Sequence, residues 1–102
     1  MKVIITDPAK GHLKDLFDFN SLYIPPQKNK EFLSKIIKKV RSLATLNNRG
    51  SIEENLIDAD FEYRYVLQDN CKIIYRIQDE FVLVTDFFDV RQDPTKLTSR
   101  QS

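Results

Sequence analysis

Three strand-length segments follow one another between residues 61 and 88, and they constrain the fold more than any other feature of the sequence. The segments cover residues 61–68, 71–77 and 81–88, and all three are rich in Tyr, Ile, Val and Phe, which favour strands. Asp69-Asn70 fits a two-residue hairpin turn, and Gln78-Asp79-Glu80 supplies the next turn. Connections this short join antiparallel neighbours, so the sequence predicts an antiparallel β-meander.

Two helical patterns precede the meander. A β-branched run over residues 3–5 predicts a first strand, and Asp7-Pro8 predicts the start of a helix that ends near residue 20, with Asp7 as its N-cap. Pro25-Pro26 interrupts the chain. Apolar residues at helical spacing then predict a longer second helix, and they are Phe32, Leu33, Ile36, Ile37, Val40, Leu43 and Ala44.

The remaining segments predict irregular structure. Asn47-Asn48-Arg49-Gly50 is a stop signal for the second helix. Residues 51–60 show no clean period and predict a connection, packed in part by Ile52, Leu56 and Ile57. Asp93-Pro94 is expected to end regular structure and to leave a polar tail over residues 93–102. The fold class is therefore α+β, with an N-terminal strand at the sheet edge and two helices stacked on one face of the meander.

Composition limits the classes of function. The 102 residues correspond to one domain, and 41% hydrophobic with 30% charged residues is typical of a soluble globular protein. The longest apolar runs are too short to cross a bilayer, and Cys71 is the single cysteine, so we expect no intrachain disulfide, metal centre or cofactor. These features fit the cytoplasm. A net charge of +1 excludes a protein that binds nucleic acid through bulk charge alone.

Strand parity groups the side chains of the meander. An even turn at Asp69-Asn70 places residues 63, 65 and 67 on the same face as 72, 74 and 76. That face carries two phenols and two cations, namely Tyr63, Tyr65, Lys72 and Arg76, and is expected to be open. The other face is more apolar and is expected to meet the helices, with Arg64, Val66, Cys71, Ile73, Tyr75, Ile77, Val82 and Val84.

The two tyrosines and two cations on the face that is expected to be open can be interpreted in two ways. Tyr can stack on a base while Lys and Arg hold phosphate, as in a nucleic-acid site. Alternatively, long amphipathic side chains simply cover a solvated sheet face, and composition alone favours this second interpretation.

Other chemically notable residues have simple structural interpretations. His12 is expected to be a surface or packing residue, and Cys71 an inert one. The acids Glu53, Glu54, Asp58 and Asp60 are expected to be solvated. The lysine-rich face of the second helix is most simply a solubilising surface.

Residues 63–97 resemble the RelE/ParE superfamily of toxins from type II toxin–antitoxin systems. The resemblance is carried by Tyr63-Arg64-Tyr65-Val66-Leu67-Gln68-Asp69-Asn70-Cys71-Lys72-Ile73-Ile74-Tyr75-Arg76-Ile77 and by Phe87-Phe88-Asp89-Val90-Arg91-Gln92-Asp93-Pro94. The order of strand, helix and helix before the meander is also that of the family. The resemblance implies a cytoplasmic bacterial toxin, associated with functions such as plasmid stabilization, that arrests growth and is neutralised by a cognate antitoxin.

The family implies two alternative targets. ParE-like members poison DNA gyrase, whereas RelE-like members enter the ribosome and cleave mRNA, using basic residues to activate the ribose 2′-hydroxyl and stabilise the phosphorane. If this chain is an enzyme, the resemblance implies a ribosome-dependent endoribonuclease. A third alternative is a non-toxic, degenerate fold that binds the antitoxin and helps it repress their promoter.

By position, the family resemblance marks a set of candidate site residues. Lys72 and Arg91 match basic positions of the nuclease site, and Arg76 is a further catalytic candidate. Tyr63, Tyr65 and Gln92 are candidate contacts to nucleic acid or target. Asp89 stands where the nuclease branch has a late His or Tyr, and this departure favours gyrase over mRNA.

Overall fold

The computed structural model describes residues 1–45, 50–58 and 60–100, with the side chains of 99 and 100 left aside. Its elements in chain order are β1 (Lys2–Ile5), α1 (Asp7–Asn20), α2 (Pro26–Ser42), β2 (Ser51–Ile57), β3 (Glu62–Gln68), β4 (Cys71–Gln78), β5 (Phe81–Asp89) and α3 (Thr95–Arg100). The predicted α+β class is confirmed. Across these ranges, none of the helices combines the length and the apolar character needed to cross a membrane.

The strands form one five-stranded sheet in the order β1-β5-β4-β3-β2. The predicted meander is confirmed, because β3, β4 and β5 pair antiparallel in succession. The predicted first strand does join the sheet edge, where β1 pairs parallel to β5 with Lys2 opposite Phe81. Both meander turns have two residues and begin at an aspartate with positive φ, 53° at Asp69 and 55° at Asp79, which a short polar side chain tolerates.

The prediction of a connection over residues 51–60 is wrong for most of that segment. Ser51–Ile57 is strand β2, which pairs antiparallel with β3. Its register shifts between Ile52 and Ile57, and its two buried residues, Glu53 and Leu56, are three positions apart rather than two. This irregularity removes the period-two pattern by which strands are recognised.

Helix boundaries differ slightly from the predictions. Thr6, rather than Asp7, caps α1, because its side-chain oxygen accepts a hydrogen bond from the Ala9 amide at 3.3 Å. Helix α2 ends at Ser42 with Leu43 as its C-cap, earlier than the predicted stop signal. Residues 47–49 of that signal lie outside the described residues.

Apolar side chains fill both faces of the sheet. On one face, here called the helix face, α1 and α2 cover Cys71, Ile73, Tyr75, Val82, Val84 and Phe87. The opposite face holds a second cluster of Leu56, Tyr63, Ile74, Phe88 and Leu97. Strand parity therefore predicted the grouping of β3 and β4 side chains correctly.

Two related predictions about the opposite face are wrong. Residues after Asp93-Pro94 do not form only a polar tail, because Thr95–Arg100 is helix α3 and its Leu97 is fully buried. The face is not fully open either, since α3 packs against β2 and Tyr63 is 7% exposed. Leu97 is the one apolar residue of the polar helix α3, and it is enough to cover the part of the opposite face beside β2.

Candidate functional site

Lys72 lies on the opposite face in an ion pair with a buried carboxylate. Its Nζ donates to Oε2 of Glu53 at 2.8 Å, and the Glu53 side chain is 1% exposed. Burial opposes ionisation of Glu53, but hydrogen bonds from Lys72 and Asn55 outweigh it and hold the pKa of this carboxyl below its ordinary value. Glu53 was expected to be solvated, and that prediction is wrong. Lys72 is thus already engaged within the protein.

Aromatic rings surround the two cations of the opposite face. Nζ of Lys72 lies 4.3 Å from the ring centroid of Tyr65. The guanidinium of Arg76 lies 3.8 Å from the ring centroid of Phe61, and its Nη1 donates to the Tyr63 hydroxyl at 3.2 Å. These contacts hold both cations against rings. The structure therefore brings together four predicted site residues, Tyr63, Tyr65, Lys72 and Arg76.

The other predicted site residues lie in a cleft between α1 and the segment after β5. Arg91 makes a two-pronged ion pair with Asp89, in which Nε donates to Oδ1 at 3.0 Å and Nη2 donates to Oδ2 at 2.6 Å. The hydrogen bond from Arg91, opposed by burial, holds the pKa of Asp89 below its ordinary value. The cleft has a volume of about 540 Å³, and its lining includes Gln92, Lys96 and His12.

His12, which lines the cleft, belongs to a pair that the sequence did not reveal. Nδ1 of His12 on α1 lies 2.9 Å from Oδ1 of Asp86 on β5, whose side chain is fully buried. His12, expected to be a surface or packing residue, is partly buried and contacts this core carboxylate. The two residues are 74 positions apart, so only the position of Asp86 within an apolar strand hints at a buried partner.

The structure separates the predicted site residues into two groups. Lys72 on β4 pairs with Phe88 on β5, and both side chains belong to the opposite face. Asp89 pairs with Cys71, which belongs to the helix-face core. Arg91 and Gln92 line a cleft beside α1, and neither Lys72 nor Arg76 is part of its lining.

Neither Cys71 nor the acids form a further reactive centre in the described ranges. Burial raises the pKa of the Cys71 thiol to about 12, with help from the nearby Asp89 carboxylate, so the thiol stays protonated. Within the same ranges, no three His, Cys, Asp or Glu side chains come together in a way that could hold a metal ion.

Comparison with known proteins gives two positive findings. Residues 3–94 match the family model described as "ParE toxin of type II toxin-antitoxin system, parDE". A solved chain from a structure titled "Chromosomal ParDE TA system from P. aeruginosa" superposes with a TM-score of 0.73 at 16% identity, covering 88% of this chain and 96% of that one. This similarity shows a shared fold. No curated protein shows a significant match.

Proposed function

Because the chain belongs to the ParE toxin family of type II toxin–antitoxin systems, we propose that it arrests bacterial growth by poisoning DNA gyrase. We further propose that a cognate antitoxin, encoded beside it, holds it inactive in the cytoplasm. The resemblance of residues 63–97 to RelE/ParE toxins agrees with the family match over residues 3–94.

One observation supports gyrase over mRNA as the target: each predicted catalytic cation has a partner within the protein. Lys72 is paired with Glu53, and Arg91 with Asp89. Arg76 lies against Phe61 and Tyr63. A ribonuclease site needs cations that converge on one phosphate and are free to stabilise its developing charge. A toxin that poisons gyrase does not need converging, unpaired cations, because it acts by binding through its surface.

An exposed apolar group supports a protein partner. Phe19, Leu22 and Tyr23, at the junction of α1 and α2, are 51%, 74% and 72% exposed, and the rings of Phe19 and Tyr23 are 5.1 Å apart. Arg91 lies close by, since it and Tyr23 line the same depression. Large apolar side chains beside charged ones are typical of protein-binding surfaces. In this proposal the antitoxin covers them.

Controlled expression tests the proposal. Induction of the chain alone in a bacterial host is expected to stop growth, to induce the SOS response and to yield cleaved plasmid DNA. Co-expression of the neighbouring small gene is expected to restore growth. In vitro, the purified chain is expected to trap gyrase on cleaved DNA.

Two results would contradict the proposal. Cuts in mRNA at codon-registered positions, read by primer extension, would identify the ribosome as the target. Normal growth under strong induction, together with tight binding to the antitoxin, would indicate the non-toxic antitoxin-binding module.

A further inference from the structure

Helix α2 concentrates the positive charge of the protein. Against the single acid Glu31 it carries six cations, which are Lys28, Lys30, Lys35, Lys38, Lys39 and Arg41, and six minus one gives a net charge of +5. The whole chain has a net charge of only +1. The rest of the protein is therefore net acidic, and the molecule has one strongly basic side.

Four of these lysines lie along one flank of the helix, with Glu31 among them, and are defined here as the α2 lysine stripe: Lys28, Lys35, Lys38 and Lys39. Successive residues of an α-helix are about 100° apart around the helix axis. Lys28, Lys35 and Lys39 therefore lie within about 40° of one another around this axis, and Lys38 lies beside them. At about 1.5 Å per residue the stripe is roughly 16 Å long. Among the described residues, only Lys28 of the stripe has a carboxylate at ion-pair distance, Glu31 at 3.9 Å.

We propose that the α2 lysine stripe binds the phosphate backbone of duplex DNA without regard to sequence. The inference rests on the proposed function, because a toxin that poisons gyrase meets the DNA that gyrase holds. Duplex DNA carries one negative charge per roughly 1.7 Å of its axis, so a stripe of this length faces several phosphates. Lysine ammonium groups neutralise phosphates as point charges and require no base contact.

The surface chemistry of α2 favours DNA over an acidic protein segment. Protein interfaces are depleted in lysine and depend on buried apolar anchors. Ile37 is the exposed large apolar residue that the structure shows on α2, and it lies about 180° around the helix from Lys28. Phosphate repels the acidic remainder of the protein. The electrostatic field of the molecule therefore orients α2 toward DNA.

A pair of charge-matched variants tests the inference. The stripe variant carries Lys28→Gln, Lys35→Gln and Lys38→Gln, and the control carries Lys2→Gln, Lys10→Gln and Lys14→Gln. All six lysines are exposed, and both variants lose the same net charge. Affinity for a fluorescent 20-base-pair duplex is measured by anisotropy at several salt concentrations. Glutamine keeps a helix propensity close to that of lysine, and circular dichroism verifies the fold.

The stripe variant is expected to lose about tenfold or more in affinity at low salt. Its plot of log affinity against log salt should become shallower by about 0.9 for each phosphate contact removed. The control variant should change much less. Equal losses in the two variants would overturn the inference, as would binding of the wild-type chain to a polyglutamate peptide but not to DNA.

Gyrase assays run in parallel keep the two proposals apart. If the stripe variant traps gyrase on DNA as well as the wild type and still binds the duplex, the stripe inference fails and the proposed function stands. If the wild type binds duplex DNA through the stripe yet leaves gyrase unaffected, the proposed function fails and the stripe inference stands.

Discussion

The ammonium of Lys72 and the carboxylate of Glu53 form a 2.8 Å ion pair in which the carboxylate is almost completely buried. The partners come from β4 and β2, so the pair ties the edge strand to the centre of the sheet. A residue at a predicted catalytic position thus also holds the fold together, which affects how its variants are interpreted.

Replacement of Lys72 by Ala is expected to destabilise the protein by about 3 kcal/mol, because it leaves the buried charge of Glu53 without its cation. Chemical denaturation measures the change. The double variant Lys72→Met/Glu53→Gln removes both charges and should recover most of the loss. If that double variant is stable and still stops growth, Lys72 has no catalytic role. A single variant as stable as the wild type would show that the pair contributes nothing.

Stability should fall in acid because of Glu53. Its pKa is lowered in the folded protein, so the ionised carboxylate stabilises the fold at pH values above its ordinary pKa of 4.5. This contribution is lost as the pH falls through the lower, folded-state pKa. Denaturant melts at a series of pH values should therefore show a decline below about pH 4.5 that is weaker in Glu53→Gln. Glu54→Gln, at the exposed neighbouring position, serves as control and should follow the wild-type curve.

The bond between His12 and Asp86 should couple α1 to β5. Replacement of His12 by Ala removes a hydrogen bond to a fully buried carboxylate and is expected to cost about 1 to 3 kcal/mol. A double-mutant cycle with Asp86→Asn measures the coupling, which should be at least about 0.5 kcal/mol for a direct contact. Additive effects of the two substitutions would contradict the contact.

Leu97 should stabilise the opposite-face cluster although α3 is short. Leu97→Ala is expected to cost about 2 kcal/mol, because it opens a cavity against Tyr63, Ile74 and Phe88. The exposed substitution Lys96→Gln in the same helix should stay within about 0.5 kcal/mol. Thermal melts of both variants check this, and equal melting temperatures would show that α3 does not close the face.

The sequence predicted the parts of the fold that repeat regularly. Alternation and short turns were sufficient for the meander, and helical spacing for α1 and α2. Strand β2 was missed because its buried Glu53 is acceptable only beside Lys72, a partner 19 positions away. Helix α3 was missed because Leu97 is one apolar residue in a polar segment. The cleft pair was missed because no local pattern joins His12 to Asp86.

The separation of the predicted site residues into two groups also could not be predicted from the local sequence pattern. Parity along β3 and β4 correctly grouped Tyr63, Tyr65, Lys72 and Arg76. Beyond that, β5 contains an extra residue, since Tyr75 pairs with Val84 but Ile74 with Asp86. Such a bulge shifts which side chains point to each face. The register of the end of β5, which precedes Arg91 and Gln92, therefore depends on a shift that the sequence pattern does not reveal.

The parallel pairing of β1 with β5 has a consequence for synthesis. Residues 2–5 find their sheet partner only at residues 81–84, so the edge strand stays unpaired while most of the chain is being translated. Contacts of such long sequence separation form late and slow the folding reaction. A nascent chain of this topology completes its sheet only after β5 has left the ribosome.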